Sequence, residues 1–369
     1  MGHKIIISGG GTGGHVFPAI AIANALRRIQ PDIEILFVGA NGRMEMEKVP
    51  AAGYEIVGLD IQGIDRFSWL NNLVLPFKLI KSLWKARKVI KRFGAQAAVG
   101  VGGFASGPLL IVANRLGIPI LIQEQNSFAG KTNKMLGKDA QKICVAYDGM
   151  NKFFPADKIL LTGNPIRRAA VDIEGKKKEA LDFFNLWEGR NTVLIMGGSL
   201  GAGTLNRFML KSFEKIVDRP DIQVIWQCGS MYYEEVMSLL ELREGGIPSK
   251  IHVVPFLERM DYAYAAADVI VARAGAGTIS ELCMVGKPAI LVPSPNVAED
   301  HQTKNAQALV SKGAALTIAD DMALDNLLEM VLRLLTDEEQ CAALSREIKK
   351  MALPDADEVI AREVLKLIA

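Results

Sequence analysis

The residues able to do chemistry gather in glycine-rich turns that follow short apolar runs. Lys4-Ile5-Ile6-Ile7-Ser8 leads into Gly9-Gly10-Gly11-Thr12-Gly13-Gly14, and His15 and Pro18 close the motif. The arrangement recurs half a chain later, where Val193-Leu194-Ile195-Met196 runs into Gly197-Gly198-Ser199-Leu200-Gly201-Ala202. A strand entering a glycine turn before a helix suits an anion, because uncrowded backbone N–H groups and the helix dipole both face it. Gly100 to Pro108 form a third loop of this type, and Ala272-Arg273-Ala274-Gly275-Ala276-Gly277-Thr278-Ile279-Ser280-Glu281 a fourth. In the fourth, Glu281 falls one helical turn inside the helix, where a carboxylate can accept two hydrogen bonds from a ribose diol. Two polar clusters complete the set. Gln123-Glu124-Gln125-Asn126 directly follows an apolar run, and Glu299-Asp300-His301-Gln302 with Asn305 suits sugar hydroxyls.

These turns need a parallel sheet beneath them. Apolar runs near 4–8, 34–38, 55–59, 97–101, 119–122, 143–146 and 159–162 alternate with helical patterns, and so do runs near 192–196, 223–227, 251–255, 268–272, 288–292 and 314–318. Such alternation predicts α/β architecture with parallel strands. At 369 residues, half of them hydrophobic, the chain suits two domains that each bury a core. The turn Thr162-Gly163-Asn164-Pro165 marks the boundary, giving domains at 1–165 and 166–353 around a shared cleft. The helix at about 354–369 can cross back to the first domain.

Several alternatives weaken on inspection. Gly9, Gly11 and Gly14 satisfy GxGxxG, but the second strand ends Val38-Gly39-Ala40-Asn41, without the acid a dinucleotide ribose requires. Gly130-Lys131-Thr132 resembles the end of a P-loop, yet Gln125 stands where its first glycine belongs. Asp355-Ala356-Asp357 opens the last helix and reads as capping acids, so no metal site and no cofactor is expected. The four cysteines are scattered among apolar residues and read as buried small hydrophobes in a reducing compartment. The net charge is only +2, but Arg66 through Gln123 hold nine Lys or Arg and no acid. That asymmetry points to an anionic partner. Nucleic acid is disfavoured because the aromatics there lie among aliphatics and form no strand-borne stacking platform.

Taken in order, GGGTGGHVFP at 9–18, GVGGFASGP at 100–108, QEQN at 123–126, GNPIR at 163–167, GGSLGAGTLN at 197–206, ARAGAGTISE at 272–281 and HQTKNA at 301–306 resemble the bacterial UDP-N-acetylglucosamine transferases that convert lipid I to lipid II in peptidoglycan synthesis. The resemblance implies a GT-B architecture, two Rossmann-like domains with the donor nucleotide in the C-terminal one and the lipid acceptor in the N-terminal one. It places Ser199 and Arg167 at the donor diphosphate, and Phe256 and Leu257 around the uracil. Ala276, Gly277, Thr278, Ile279, Ser280 and Glu281 would serve the pyrophosphate and ribose, with Glu281 on the ribose hydroxyls. Gln302 and Asn126 would contact the N-acetylglucosamine, and Thr12, Gly13 and Gly14 would line the cleft. Gln123 departs from the His of many relatives, and Leu200 from a common Gln. Another GT-B transferase, using a different lipid or small-molecule acceptor, is the nearest alternative.

The implied reaction is a single displacement with inversion, in which the 4-hydroxyl of undecaprenyl-pyrophosphoryl-N-acetylmuramyl-pentapeptide attacks and UDP leaves. His15 is the favoured base, since an imidazole titrating near ~6.5 is kept neutral by the positive end of a helix. Glu124 is the second candidate. Residues 69–92 mix Trp69, Leu70, Leu73, Val74, Leu75, Phe77, Leu79, Ile80, Leu83 and Trp84 with Lys78, Lys81, Lys85, Arg87, Lys88, Lys91 and Arg92. That mixture suits an interfacial helix on anionic lipid, and predicts peripheral attachment to the cytoplasmic face of the inner membrane. The resemblance adds association with a cell-wall synthesis complex.

Overall fold

The structure is a computed structural model that describes residues 2–61, 75–198, 200–243 and 245–369, without the side chain of Ala298. Ser199 and the aromatic and aliphatic residues at 69–74 lie outside the described residues. The chain forms two compact units, Met1–Ile166 with Leu353–Ala369, and Arg167–Ala352.

The first unit is a seven-stranded parallel sheet in the order β3-β2-β1-β4-β5-β6-β7. Its strands are β1 (Lys4–Gly9), β2 (Glu34–Ala40), β3 (Glu55–Leu59), β4 (Ala97–Gly102), β5 (Ile120–Glu124), β6 (Lys142–Val145) and β7 (Ile159–Leu161). Side chains alternate across a strand, so β1 serves two cores. Ile5 and Ile7 pack with Phe37, Val99 and Val101 on one face, while Ile6 packs with Leu36, Ala98 and Ile122 on the other. The first face is covered by the helix Gly13–Ile29 and by the last helix, Ala356–Lys366, through Ile360, Ala361 and Val364. Arg28 pairs with the buried Asp357 at 2.7 Å, pinning the last helix to this unit. The second face is covered by the helices Leu75–Phe93, Ser106–Arg115 and Lys131–Gly137.

The second unit is a six-stranded parallel sheet, β10-β9-β8-β11-β12-β13. Its strands are β8 (Asn191–Met196), β9 (Ile222–Gln227), β10 (Ile251–Val254), β11 (Val269–Ala272), β12 (Ala289–Leu291) and β13 (Leu316–Thr317). Val193, Ile195, Trp226, Val269 and Val271 form one face, covered by Phe208, Met209 and Phe213 of the helix Gly203–Val217 and by Leu327, Val331 and Leu334 of the helix Ala323–Thr336. In both sheets the strand order reverses between the first and fourth strands. At such a switch point the two connections leave in opposite directions and open a crevice at the carboxyl ends.

Candidate glycosyl-transfer sites of the two units

At the switch point of the first unit, two glycine loops meet. Gly10 donates its N–H to Gly102 O at 3.2 Å, and a Cβ on Gly103 would lie 2.3 Å from Gly10 O, so only glycine permits the approach. Glu45, buried beneath the loop, accepts the Gly11 N–H at 2.8 Å and the Ala40 N–H at 3.0 Å. The amides that would hold a phosphate in a dinucleotide site are therefore spent inside the protein. Gly13 and Gly14 open the helix Gly13–Ile29, and first-turn amides have no partner within their own helix. Thr12 and Gly14 are exposed, and the half-buried His15 follows directly.

His15 Nδ1 lies 3.0 Å from Gln125 Oε1. Gln125 is one member of a buried amide cluster. Its Nε2 donates to Val101 O at 2.6 Å and to Gln123 Oε1. Gln123 Nε2 donates to Asn164 Oδ1 at 2.9 Å, and Asn164 Nδ2 returns to Gln125 O at 3.1 Å. Glu124 does a different job from the one expected of a base. Its Oε1 accepts from the Asn126 backbone N–H and side-chain amide at 3.1 and 3.3 Å. Its Oε2 accepts from the Gly130 N–H and from Asn133 Nδ2 at 3.0 and 2.8 Å. Four donors match the roughly four lone-pair positions of a carboxylate, so Glu124 holds Asn126 and the following turn in place.

In the second unit the loop after β8 is tied to its neighbours. Gln227 accepts the Gly197 N–H at 3.0 Å and donates to Gly198 O at 3.0 Å and Pro255 O at 3.2 Å. Pro255 precedes Phe256, which is exposed, and Leu257, which is buried. After β11, Gly275 caps the helix Ala276–Val285 without a side-chain bond. The first turn, Ala276 to Thr278, thus presents backbone N–H groups and only small side chains, and a Cβ on Gly277 would meet nothing within 4 Å. Ile279 is buried, and Ser280 Oγ turns back to Ala276 O at 3.0 Å.

One turn on, Glu281 Oε2 accepts the hydroxyl of the fully buried Tyr264 at 2.9 Å. Burial pushes the Glu281 carboxyl above its ordinary range, against the pull of the Tyr264 hydrogen bond and the Arg167 charge. Arg167 itself is exposed. Beside this helix, Arg273 donates to Val292 O at 3.0 Å and pairs with Asp320, whose other oxygen accepts from Thr204 Oγ1 at 2.9 Å. One guanidinium thereby ties together the loops after β11, β12 and β13. Gln302, near the start of the helix His301–Val310, accepts the Ser294 N–H at 2.8 Å and shapes the loop after β12. Glu299 and Asp300 before it carry φ of 54° and 53°, left-handed backbone that non-glycine residues adopt at a cost.

Expected residues thus fall into two sets. The first unit groups Thr12, Gly13, Gly14 and His15 on one helix start, with Glu124 and Asn126 at the end of β5. The second groups Ala276 to Glu281 on one helix, with Arg167 acting on Glu281, and carries Phe256, Leu257 and Gln302 on separate loops. Glu45, Tyr264 and the Arg273–Asp320 pair escaped sequence reasoning. Each works on a loop distant in sequence, and no spacing pattern signals that. Among the described residues no group of three or more His, Cys, Asp or Glu could hold a metal ion. The buried cysteines are bystanders, with burial pushing the Cys144 and Cys283 thiols to about 12 and Cys228 to about 11.

Two parallel-sheet units, each with glycine loops and helix starts at its switch point, are the units of the GT-B architecture. Residues 5–145 match the glycosyltransferase family 28 N-terminal domain and residues 192–360 the family 28 C-terminal domain. The chain belongs to glycosyltransferase family 28. It is 54% identical over 366 residues to the UDP-N-acetylglucosamine–N-acetylmuramyl-(pentapeptide) pyrophosphoryl-undecaprenol N-acetylglucosamine transferase of Parabacteroides distasonis, covering 99% of this chain and 98% of that one. The transferase of the same name from Bacteroides thetaiotaomicron is 53% identical, over 99% of this chain and 97% of its own. The crystal structure of Acinetobacter baumannii MurG superposes with a TM-score of 0.79 at 29% identity, covering 99% of this chain and 100% of that one.

Proposed function

We infer that this protein transfers N-acetylglucosamine from UDP-N-acetylglucosamine to lipid I, the undecaprenyl-pyrophosphoryl-linked N-acetylmuramyl-pentapeptide, and so forms lipid II. The carrying observation is identity above 50% over essentially the full length of transferases bearing that name. The second unit holds the donor. Glu281 accepts the ribose hydroxyls, Phe256 and Leu257 frame the uracil, and the amides of Ala276 to Thr278 with Arg167 and Ser199 take the diphosphate. Ile279 and Ser280 complete that helical turn. Gln302, and Asn126 on the first unit, contact the sugar.

The attack inverts the anomeric carbon. His15 removes the proton from the 4-hydroxyl of the acceptor, and Thr12, Gly13 and Gly14, which directly precede it, line the acceptor side of the site. The leaving UDP gains negative charge, and preorganised N–H groups and Arg167 stabilise it without reorganising. General-base removal by one side chain typically contributes ~10²–10⁴-fold.

The protein works at the inner face of the plasma membrane, where the lipid acceptor and the cell-wall synthesis partners reside. Support comes from the helix Leu75–Phe93. Ser82, Ala86 and Ile90 face the core, while Phe77 and Trp84 are 76% and 78% exposed on the other side among Arg87, Lys88 and Lys91. No helix among the described residues is long and apolar enough to cross a membrane.

The test is UDP release from UDP-N-acetylglucosamine with and without a lipid I analogue. Acceptor-dependent release, absent with UDP-glucose, is expected. Tight UDP binding without release would make the acceptor wrong, and no UDP binding would overturn the function.

A further inference from the structure

We propose that Gln125 is a positioning residue that fixes His15 in one tautomer, with the proton on Nδ1 and the basic lone pair on Nε2, and that Gln123 and Asn164 lock Gln125 in the orientation this requires. The catalytic meaning of the lock rests on His15 being the base.

The direction of every bond follows from what each atom can do. Val101 O is a carbonyl and only accepts, so the Gln125 atom 2.6 Å away must be the amide nitrogen. The amide oxygen of Gln125 is thereby turned to His15 Nδ1, 3.0 Å distant. An amide oxygen also only accepts, so Nδ1 must carry the hydrogen. A neutral imidazole has one N–H, which leaves Nε2 as the proton acceptor.

Gln125 cannot flip without breaking the rest of the cluster. Gln123 gives its own Nε2 to Asn164 Oδ1 at 2.9 Å, which leaves its Oε1 to accept from Gln125 Nε2. Asn164 Nδ2 closes the chain on the main-chain oxygen of Gln125 at 3.1 Å. All three side chains are buried, so a reversed amide would face acceptor to acceptor with no water to compensate. The ring also needs space. A Cβ on Gly102 would lie 2.7 Å from His15 Nδ1, and Gly102 has φ of +107°. An amide differs from the carboxylate that orients many catalytic histidines: it selects the tautomer without adding a negative charge beside the ring.

The deciding measurement is imidazole ¹⁵N NMR on the full-length protein labelled at histidine, with the His15 signals identified by their loss in His15→Asn. In the wild type, neutral His15 is expected to show a protonated Nδ1 and an unprotonated Nε2. An unprotonated Nδ1 overturns the proposal, whatever any variant does. Gln125→Met is expected to give mixed tautomers and a fall in kcat with KM little changed. Retention of the pure Nδ1–H form in that variant also overturns it. Gln125→Glu keeps an acceptor toward Nδ1 but turns its second oxygen to Val101 O and Gln123 Oε1, so it is expected to preserve the Nδ1–H tautomer at a clear loss of stability in chemical denaturation. A variant as stable as wild type would mean that the cluster does not hold the amide in this orientation. Turnover of His15→Ala is scored separately. Near-normal activity there removes the base assignment, while the NMR result still decides the tautomer lock.

Discussion

Replacing Glu281 by Gln should change donor affinity and stability in opposite directions. The carboxylate already gives Oε2 to the Tyr264 hydroxyl at 2.9 Å, so Oε1 is left to receive the ribose diol. A hydrogen bond to a charged group contributes about 1.5–3 kcal/mol. At about 1.4 kcal/mol per factor of ten, its loss weakens UDP binding ~10- to 150-fold. The amide oxygen of Gln recovers part of this, which favours the lower end. Stability follows the other sign. Burial raises the folded carboxyl above its ordinary value of 4.5, so the folded state binds more protons than the unfolded one in that window. Stability attributable to Glu281 therefore falls as pH rises from about 4.5 through the raised folded value, and the penalty persists at neutral pH. Gln carries no such penalty. Thermal melts from pH 4.5 to 8 should show the variant gaining on the wild type as pH rises, while calorimetric titration with UDP shows the affinity loss. Wild-type affinity should also fall as Glu281 protonates, and the variant's should not. UDP affinity within twofold of wild type would remove Glu281 from the ribose site. A variant destabilised equally at every pH would refute the burial argument.

Other perturbations separate the remaining roles. Glu124→Gln leaves two of four donors facing an amide nitrogen, and should cost about 1–3 kcal/mol in chemical denaturation while keeping the shape of the pH–rate profile. Full stability with a loss beyond ~1000-fold in kcat would instead return Glu124 to the role of base. Gly201→Ala puts a Cβ 2.2 Å from Cys228 O at a φ of +81°, and should cost roughly 2–4 kcal/mol, read as a lowered denaturation midpoint with an unchanged slope. An Ala variant as stable as wild type would mean the two loops separate easily. Phe77→Ser with Trp84→Ser should weaken binding to vesicles containing anionic lipid more than ~100-fold, each ring contributing about 1.5–3 kcal/mol when buried. Added salt should weaken the wild type as well. Unchanged binding by the double variant would shift membrane contact away from this helix.

Periodicity and glycine turns are local properties of a chain, and what depends on them was legible. Ile5, Ile6 and Ile7 followed by Gly9 declare a doubly buried strand and its turn, and the same signature at Val193 to Gly197 declares a second sheet. The Asp268–Val271 run before Gly275 likewise predicts the helix that carries Glu281. What stayed hidden is whatever links turns far apart in sequence. A second-strand acid is absent at Asn41, which weakens the expectation of a dinucleotide site, yet nothing in the sequence says that Glu45 reaches back to fill Gly11. Glu124 shows the same limit from the other side. A carboxylate at a strand's carboxyl end is a natural base candidate until Gly130 and Asn133, six and nine residues on, are seen to occupy it. Gln125 and Asn164 read as a polar strand end and a turn residue, and only folding places both against Gln123. Long side chains are what make this possible: Glu and Gln span the gap between neighbouring loops, and burial then makes each donor and acceptor count. In this protein the sequence motifs mark the glycine loops and helix starts. The buried acids and amides that reach between loops, Glu45 outside the motifs and Gln123, Glu124, Gln125 and Asn164 within them, decide which backbone and ring atoms remain available.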